Sequence, residues 1–248
     1  MKAQVLHKHL AQYENCSECE FIRVQEPFWL EEAYSSAIAA ADTGLVMRNV
    51  SLAAKVSSSL YWVLGERGDG LYLDAAGGYG MLTRMMRDLG LNFYWSDKYC
   101  ENLMARGFEY AANLGKCRAV TAMEVMEHLL DPVQFVENLF KETGTESLIF
   151  TTELHPGRPP TPDWWYYAFP TGQHIGFFSQ KTLKTIAHRL DLKFFTANGL
   201  HIFSRHDLSR IKFYWASRPL IARISSLFVR HQLGSKTMAD HQQLMEHI

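Results

Sequence analysis

The stretch Leu71-Tyr-Leu-Asp-Ala-Ala-Gly-Gly-Tyr-Gly80 restricts the fold more than any other part of this chain. A short apolar run reads as a buried strand that stops at Asp74, and Gly77, Gly78 and Gly80 then crowd into a turn. A helix pattern begins at once with Met81-Leu-Thr-Arg-Met-Met and closes near Gly90. Glycines between a strand and a helix let a ligand approach the backbone where unpaired N–H groups point outward. The dinucleotide fingerprint G-x-G-x-x-G requires a third glycine where this chain has Thr83. The better fit is an acid leading a spaced glycine run, D-x-G-x-G-x-G, with Ala76 in place of the first glycine.

The rest of the chain reads around that unit. Its 248 residues, 47% hydrophobic and 21% charged, accommodate one large domain with small appendages. A net charge of −1 gives no overall field for nucleic acid, and none is expected as a partner. Charge is uneven, however: Arg205, Arg210, Lys212, Arg218, Arg223 and Arg230 face only Asp207 between 205 and 231. The N-terminus lacks the apolar core of a signal peptide and no run is long enough to span a membrane. The expected compartment is the cytoplasm. Three regions are expected: an arm, 1–65, with a C-x-x-C and helices; a core, 66–205; and a helical extension, 206–248.

In the arm, Cys16-Ser-Glu-Cys19 is half of a zinc knuckle or a redox pair. Zinc needs two further ligands, and only His7 and His9 are near; two unligated thiols are the alternative. Pro27 starts a helix pattern through Trp29, Leu30, Ala33, Tyr34 and Ile38. Leu52, Ala53, Val56, Leu60, Val63 and Leu64 trace a second helix face, ended by Gly65.

Past the glycine turn, Leu91-Asn-Phe-Tyr-Trp-Ser-Asp97 is a strand ending in an acid. A carboxylate about 20 residues past such a loop accepts hydrogen bonds from ribose hydroxyls. A third strand near Gly107–Tyr110 is expected to be stunted. Residues 118–132 begin as a strand, and Asp131-Pro132 caps a helix ending at Gly144. Glu124, Glu127 and His128 stand at i, i+3 and i+4, a spacing that raises the question of a metal. The zinc motif H-x-x-E-H demands His at 124, and no matching second cluster is visible, so no metal is expected there. A strand over 147–152 leads into a loop of about twenty-five residues, a length that tends to be functional. Ser179 caps the next helix. Leu192–Ala197 and Leu200–Ser204 then form a hairpin across Asn198-Gly199. An α/β sheet finished by an antiparallel hairpin argues against the all-parallel dehydrogenase domain.

From about Gly70 to Ser204 the chain resembles the class I S-adenosylmethionine-dependent methyltransferases. The resemblance rests on Asp74–Gly80, on Asp97 and on Glu124-Val-Met-Glu-His-Leu-Leu-Asp-Pro132, which is similar to a stretch common in ubiquinone-biosynthesis-type enzymes. The most similar subgroup lies beside glycosyltransferases in polysaccharide loci, where W-W-Y-Y and G-Q-H-I-x-F also recur. Some of its members, including sugar C-methyltransferases, carry a zinc ribbon of which this chain keeps one cysteine pair. The resemblance implies a Rossmann-like, mostly parallel sheet with helical extensions at both ends. It implies S-adenosylmethionine held by Asp74, Ala76, Gly77, Gly78, Gly80, Asp97, Met123 and Glu124. It implies a small-molecule or sugar acceptor, an acceptor pocket lined by Trp164, Trp165, Tyr166, Tyr167 and Gln173, and His128 or His174 as general base. Ala76 is tolerated if its backbone angles are ordinary. A non-catalytic, cofactor-binding partner protein of the same fold is the alternative. In the extension, Leu220, Ile221, Ile224, Leu227 and Phe228 form one helical stripe. That stripe is expected either to pack on the domain or a second copy, as in a homodimer, or to lie on an anionic membrane.

Overall fold

A computed structural model describes residues 1–34 and 42–246. The main sheet is built from β4 (Leu71–Ala75), β5 (Asn92–Ser96), β6 (Cys117–Met123), β7 (Ser147–Thr151), β10 (Lys193–Ala197) and β11 (Leu200–Ser204), in the order β10-β11-β7-β6-β4-β5. The first to third strands of a smaller sheet are β1 (Lys2–Val5), β2 (His9–Asn15) and β3 (Ile22–Gln25). It is completed by β9 (Gly176–Ser179) and β8 (Leu154–His155).

In the main sheet β5, β4, β6 and β7 are parallel, and β11 runs antiparallel between β7 and β10. Strands covered on both faces must be apolar throughout, and all five residues of β7 are buried. Successive residues point to opposite faces. Leu73, Val120 and Phe150 pack against α4 (Pro132–Thr143) and α5 (Gln180–Arg189). Tyr72, Phe93, Ile149 and Ile202 pack against α2 (Leu45–Trp62), α3 (Met81–Asp88) and α6 (Arg210–Ala216). The expected termini are in place. Asp131 Oδ1 accepts from Gln134 N at 2.9 Å, and Ser179 with Thr182 forms a capping box. Asn198 and Gly199 take the positive φ values of 52° and 74° that a tight hairpin turn demands. The third strand is reduced to a single bridge, Trp95 to Glu109.

The arm departs from expectation. Residues 2–25 form an antiparallel meander, not an irregular lead-in to helices, and β3 pairs with β9 out of the long loop. Its pattern has period two: Ala11, Tyr13, Ile22 and Val24 face a third core with Trp29, Tyr166, Tyr167 and Phe177. The twenty-five-residue loop is therefore partly the far side of this sheet. Only α1 (Leu30–Ala33) of the first expected helix is described; Ile38 lies outside the described residues. The second begins at Leu45, before the face read from Leu52.

The extension is helical, as α6, α7 (Pro219–Leu233) and α8 (Thr237–Met245). Its docking differs from expectation. Ala222, Ser225, Ser226 and Val229 of α7 are the buried residues, with Trp62 Nε1 donating to Ser225 Oγ at 2.8 Å. Leu220, Ile224 and Leu227 stand 71%, 63% and 68% exposed. Small residues allow close approach to α2, so the larger side chains turn outward. The end of the chain is pinned by charge: buried Asp240 of α8 accepts from Arg87 at 2.6 and 2.8 Å and pairs with Arg84 at 2.7 Å.

Candidate active site

The glycine loop leaves β4, whose chain continues through α3 to β5 on one side before crossing to β6 on the other. Ligands of open α/β sheets bind at such a switch point, outside the carboxyl ends of the strands. Asp74 is buried there and does not face the solvent. It accepts from Thr121 Oγ1 at 2.7 Å and Thr83 Oγ1 at 3.2 Å, and burial lifts its pKa to about 6. Its role is to hold the loop's floor. A Cβ on Gly77 would come within 2.8 Å of Asp74 Oδ2, and one on Gly80 within 2.7 Å of Asn102 Oδ1. Ala76 takes a left-handed φ of 54°, contrary to the condition set for it, which costs an alanine roughly 1–2 kcal/mol. Gly80 has no side chain to cap α3, and of the first-turn N–H groups that of Thr83 is turned toward the Asp74 carboxyl.

Asp97, at the end of β5, reaches back across the loop. Oδ2 accepts from Gly78 N at 2.8 Å, and Oδ1 from Tyr99 N and Cys100 N at 2.7 and 2.8 Å. A carboxylate has about four acceptor sites, so one remains for a ribose hydroxyl. Trp95 Nε1 donates to Gly78 O at 2.8 Å and closes the loop from the other side.

Beyond Met123, at the carboxyl end of β6, a second set of side chains gathers. Glu124 has φ 54°, and its N–H bonds to Thr151 Oγ1 at 3.0 Å. A 3₁₀ turn over Met126–His128 then carries Glu127 and His128 inward. His174 comes from the long loop, just before β9, because Ile175 N bonds to Glu127 O at 2.8 Å. The two imidazoles meet edge to face with ring centres 4.8 Å apart. Their Nδ1 atoms lie 3.1 Å from Gln173 O and 2.7 Å from Tyr166 O. A carbonyl only accepts, so each Nδ1 carries the proton and each Nε2 keeps its lone pair.

Burial governs the electrostatics of this set. It pushes the carboxyls of Glu124 and Glu127 up to about 7, and for Glu124 the adjacent Glu127 adds to the shift. It pushes His128 down to about 4 and His174 to about 3, so both rings are neutral near pH 7. Arg48 of α2 is the cation acting on both glutamates, and it is paired with Asp42 at 2.6 Å.

The remaining expected site residues fall differently. Tyr167 is core, stacked on Phe169 and edge-on to Tyr13 and Phe177, and Trp165 is 72% exposed. Trp164 packs on Tyr166, Tyr167 and Phe177, so the aromatic run helps to hold the small sheet. Tyr166 alone touches the site, with its ring against His174 at 4.7 Å. Gln173 Nε2 donates to Ala33 O at 2.8 Å and ties the loop to α1. Glu124, grouped with the cofactor, stands directly after β6 and beside Glu127. Cys16 and Cys19 lie in the turn between β2 and β3, and His7 and His9 at the opposite end of β2. Seven strand residues span about 20 Å, so those histidines cannot complete a zinc site with the thiols. Sequence reading also missed Tyr34, whose Oη lies 3.0 Å from His128 Nδ1, and Arg48.

A family model described as a methyltransferase domain matches residues 52–197. No curated protein matches the chain. Among solved structures, it is similar to magnesium protoporphyrin IX methyltransferase from Synechocystis PCC 6803 with bound SAH. That match has 14% identity over 70% of this chain and 90% of that one, with a TM-score of 0.46. The plantazolicin methyltransferase BpumL in complex with SAH is similar at 9% identity, 73% and 93% coverage, and a TM-score of 0.49. TnmH is similar at 15% identity, 73% and 62% coverage, and a TM-score of 0.47.

Proposed function

We propose, from the premise that this chain belongs to the S-adenosylmethionine-dependent methyltransferases of the methyltransferase-domain family, that its acceptor is a hydroxyl of a small molecule or sugar. The observation that carries the acceptor's part is the convergence of Glu127, His128 and His174 beside the glycine loop. Three polar side chains from two distant segments, Glu127 buried and His128 and His174 half-buried, come together at the end of β6.

A sulfonium methyl is already electrophilic, so the protein chiefly aligns the acceptor with the S–CH₃ bond and keeps water out. The backbone of residues 77–80 and Asp97 hold the donor in this reading. His128 and His174 offer Nε2 lone pairs to an acceptor O–H. A hydroxyl needs that help because it is a poor nucleophile until its proton is shared. The subgroup resemblance favours a sugar or glycan precursor as the molecule carrying the hydroxyl. The test is an acceptor screen with methyl-labelled S-adenosylmethionine against nucleotide sugars, lipid-linked sugars and small phenols. Label recovered as an alkali-stable ether is the expected result. Label recovered only on amine or thiol acceptors contradicts it.

The outward face of α7 favours work at a membrane surface. Leu220, Ile224 and Leu227 are exposed beside exposed Arg218, Arg223 and Arg230. Each basic residue near an anionic surface adds about 1 kcal/mol, and an apolar stripe adds reversible insertion. No described helix is long and apolar enough to cross a membrane. Flotation with anionic vesicles that weakens with salt is expected. A stable dimer that buries this face and does not float would replace the lipid with a second copy.

A further inference from the structure

We infer that Glu127, His128 and His174 form a binding site for one divalent transition-metal cation. The ligating atoms of these three residues all lie within 4.8 Å of one another. A cation bonded at about 2.1 Å draws such donors to about 3–4 Å apart, so a side-chain shift of about an ångström at most completes the site.

The three side chains are prepared in ways that packing alone does not call for. Glu127 is 0% exposed, and among the described residues neither of its carboxyl oxygens has a partner in good hydrogen-bond geometry. The hydroxyls of Tyr166 and Thr152 lie near enough to hold its pKa down somewhat against burial. The nearby hydroxyls of Thr152 and Tyr166 bond to each other at 3.2 Å. Buried carboxylates left without partners are costly, and native structures keep them where something binds. Each imidazole is anchored through Nδ1 to a backbone carbonyl, which is how metal-ligating histidines are oriented by their outer shell. Two peptide carbonyls thus fix both rings, and among the described residues neither Nε2 has a hydrogen-bond partner. The i, i+1 pair of Glu127 and His128 supplies one side of the site, and His174, from the other sheet, supplies the missing arm. That arm is why the sequence spacing alone gave no metal.

The donor set of two imidazoles and one carboxylate suits zinc, iron, cobalt or manganese, and not calcium or magnesium, which prefer oxygen. A second part rests on the hydroxyl reading above. With the cation bound, the Nε2 lone pairs go to the metal and not to the acceptor O–H, so the cation replaces the histidines' role as base. It would hold the acceptor oxygen, whose proton passes to solvent as the O–CH₃ bond forms. The S–CH₃ bond breaks in the same step, and the donor leaves as a neutral thioether.

The test starts from full-length, chelator-treated protein titrated with cobalt(II) chloride, read by visible absorption and by thermal unfolding. One equivalent of cobalt should give the absorption of a histidine-ligated site and raise the melting temperature. Glu127→Gln, which keeps the side chain's shape, and His174→Ala should each weaken cobalt binding about ten-fold or more. Binding of S-adenosylhomocysteine and far-ultraviolet circular dichroism should stay unchanged, which excludes unfolding as the cause. No spectrum and no thermal shift with cobalt, zinc or manganese overturns the site. So does a spectrum that survives both variants and disappears in Cys16→Ser, which would assign the metal to the thiols. If cobalt binds here but a methylated acceptor forms equally well after chelation, the site stands and its part in methyl transfer falls. Cobalt binding needs no acceptor, so its outcome is separate from that of the acceptor screen.

Discussion

The two sides of the switch point are made of different materials. On the β4–β5 side the groups proposed to hold the donor are mostly backbone: the loop of residues 77–80, the start of α3, and one carboxylate already bonded to three N–H groups. On the β6 side the groups proposed for the acceptor are half-buried histidine side chains held by peptide carbonyls of a distant loop. Backbone sites suit a ligand that every member of a family shares. Side-chain sites can be exchanged, and they are where a particular acceptor is recognised. The donor and acceptor halves should therefore fail separately.

The largest break is expected on the acceptor side. His174→Ala should lower turnover about 10²–10⁴-fold, the range for losing a group that shares a reacting proton. Its affinity for S-adenosylhomocysteine should not change. A parallel fall in affinity, measured by calorimetry on the folded variant, would merge the two halves.

The next effect lies under the donor loop and depends on pH. Asp74 titrates at about 6 when folded, against 3.8 for the free side chain. The native state therefore holds a proton that the unfolded chain has released, and stability falls as pH rises from about 4 to 6. At 1.36 kcal/mol per pKa unit, this one group removes about 3 kcal/mol across that window. Asp74→Asn should flatten that part of the profile, as read by urea unfolding at several pH values. An unchanged slope would mean that Asp74 is better solvated than its burial indicates.

Asp97→Ala should cost about 1.5–3 kcal/mol of cofactor affinity, ten-fold or more, by removing one charge-assisted bond and loosening the loop. Wild-type affinity would take Asp97 out of the donor site. The smallest change is expected for Ala76→Gly. It relieves the left-handed alanine and should gain up to about 1 kcal/mol, reduced by the entropy that glycine loses on folding. Destabilisation on thermal unfolding would show that Ala76 is not strained.

The same difference in materials decided what could be read from the chain. Asp74, Gly77, Gly78 and Gly80 lie within one stretch of seven residues, and their spacing follows from the turn they make, so the shape of this loop was legible. Asp97 was visible because its place depends on one strand–helix unit. His174 was noticed as a loop histidine, but its meeting with Glu127 depends on β9 pairing with β3, and period-two signals in 2–25 were too short to stand out. Without that sheet, Trp164–Tyr167 looked like a pocket and the glutamate–histidine pair looked incomplete. The stripe on α7 was legible as amphipathic, but not its orientation. Ala222, Ser225 and Ser226 were too small to register as a buried face, and they won the contact with α2.

The separation of the halves is tested most directly by titrating S-adenosylhomocysteine into wild-type protein and into the Glu127→Gln/His174→Ala double variant. Equal dissociation constants within about two-fold are expected, a difference under about 0.4 kcal/mol, with turnover absent in the variant. Loss of binding in a variant that keeps its circular dichroism would contradict the account and make the cluster part of the cofactor site.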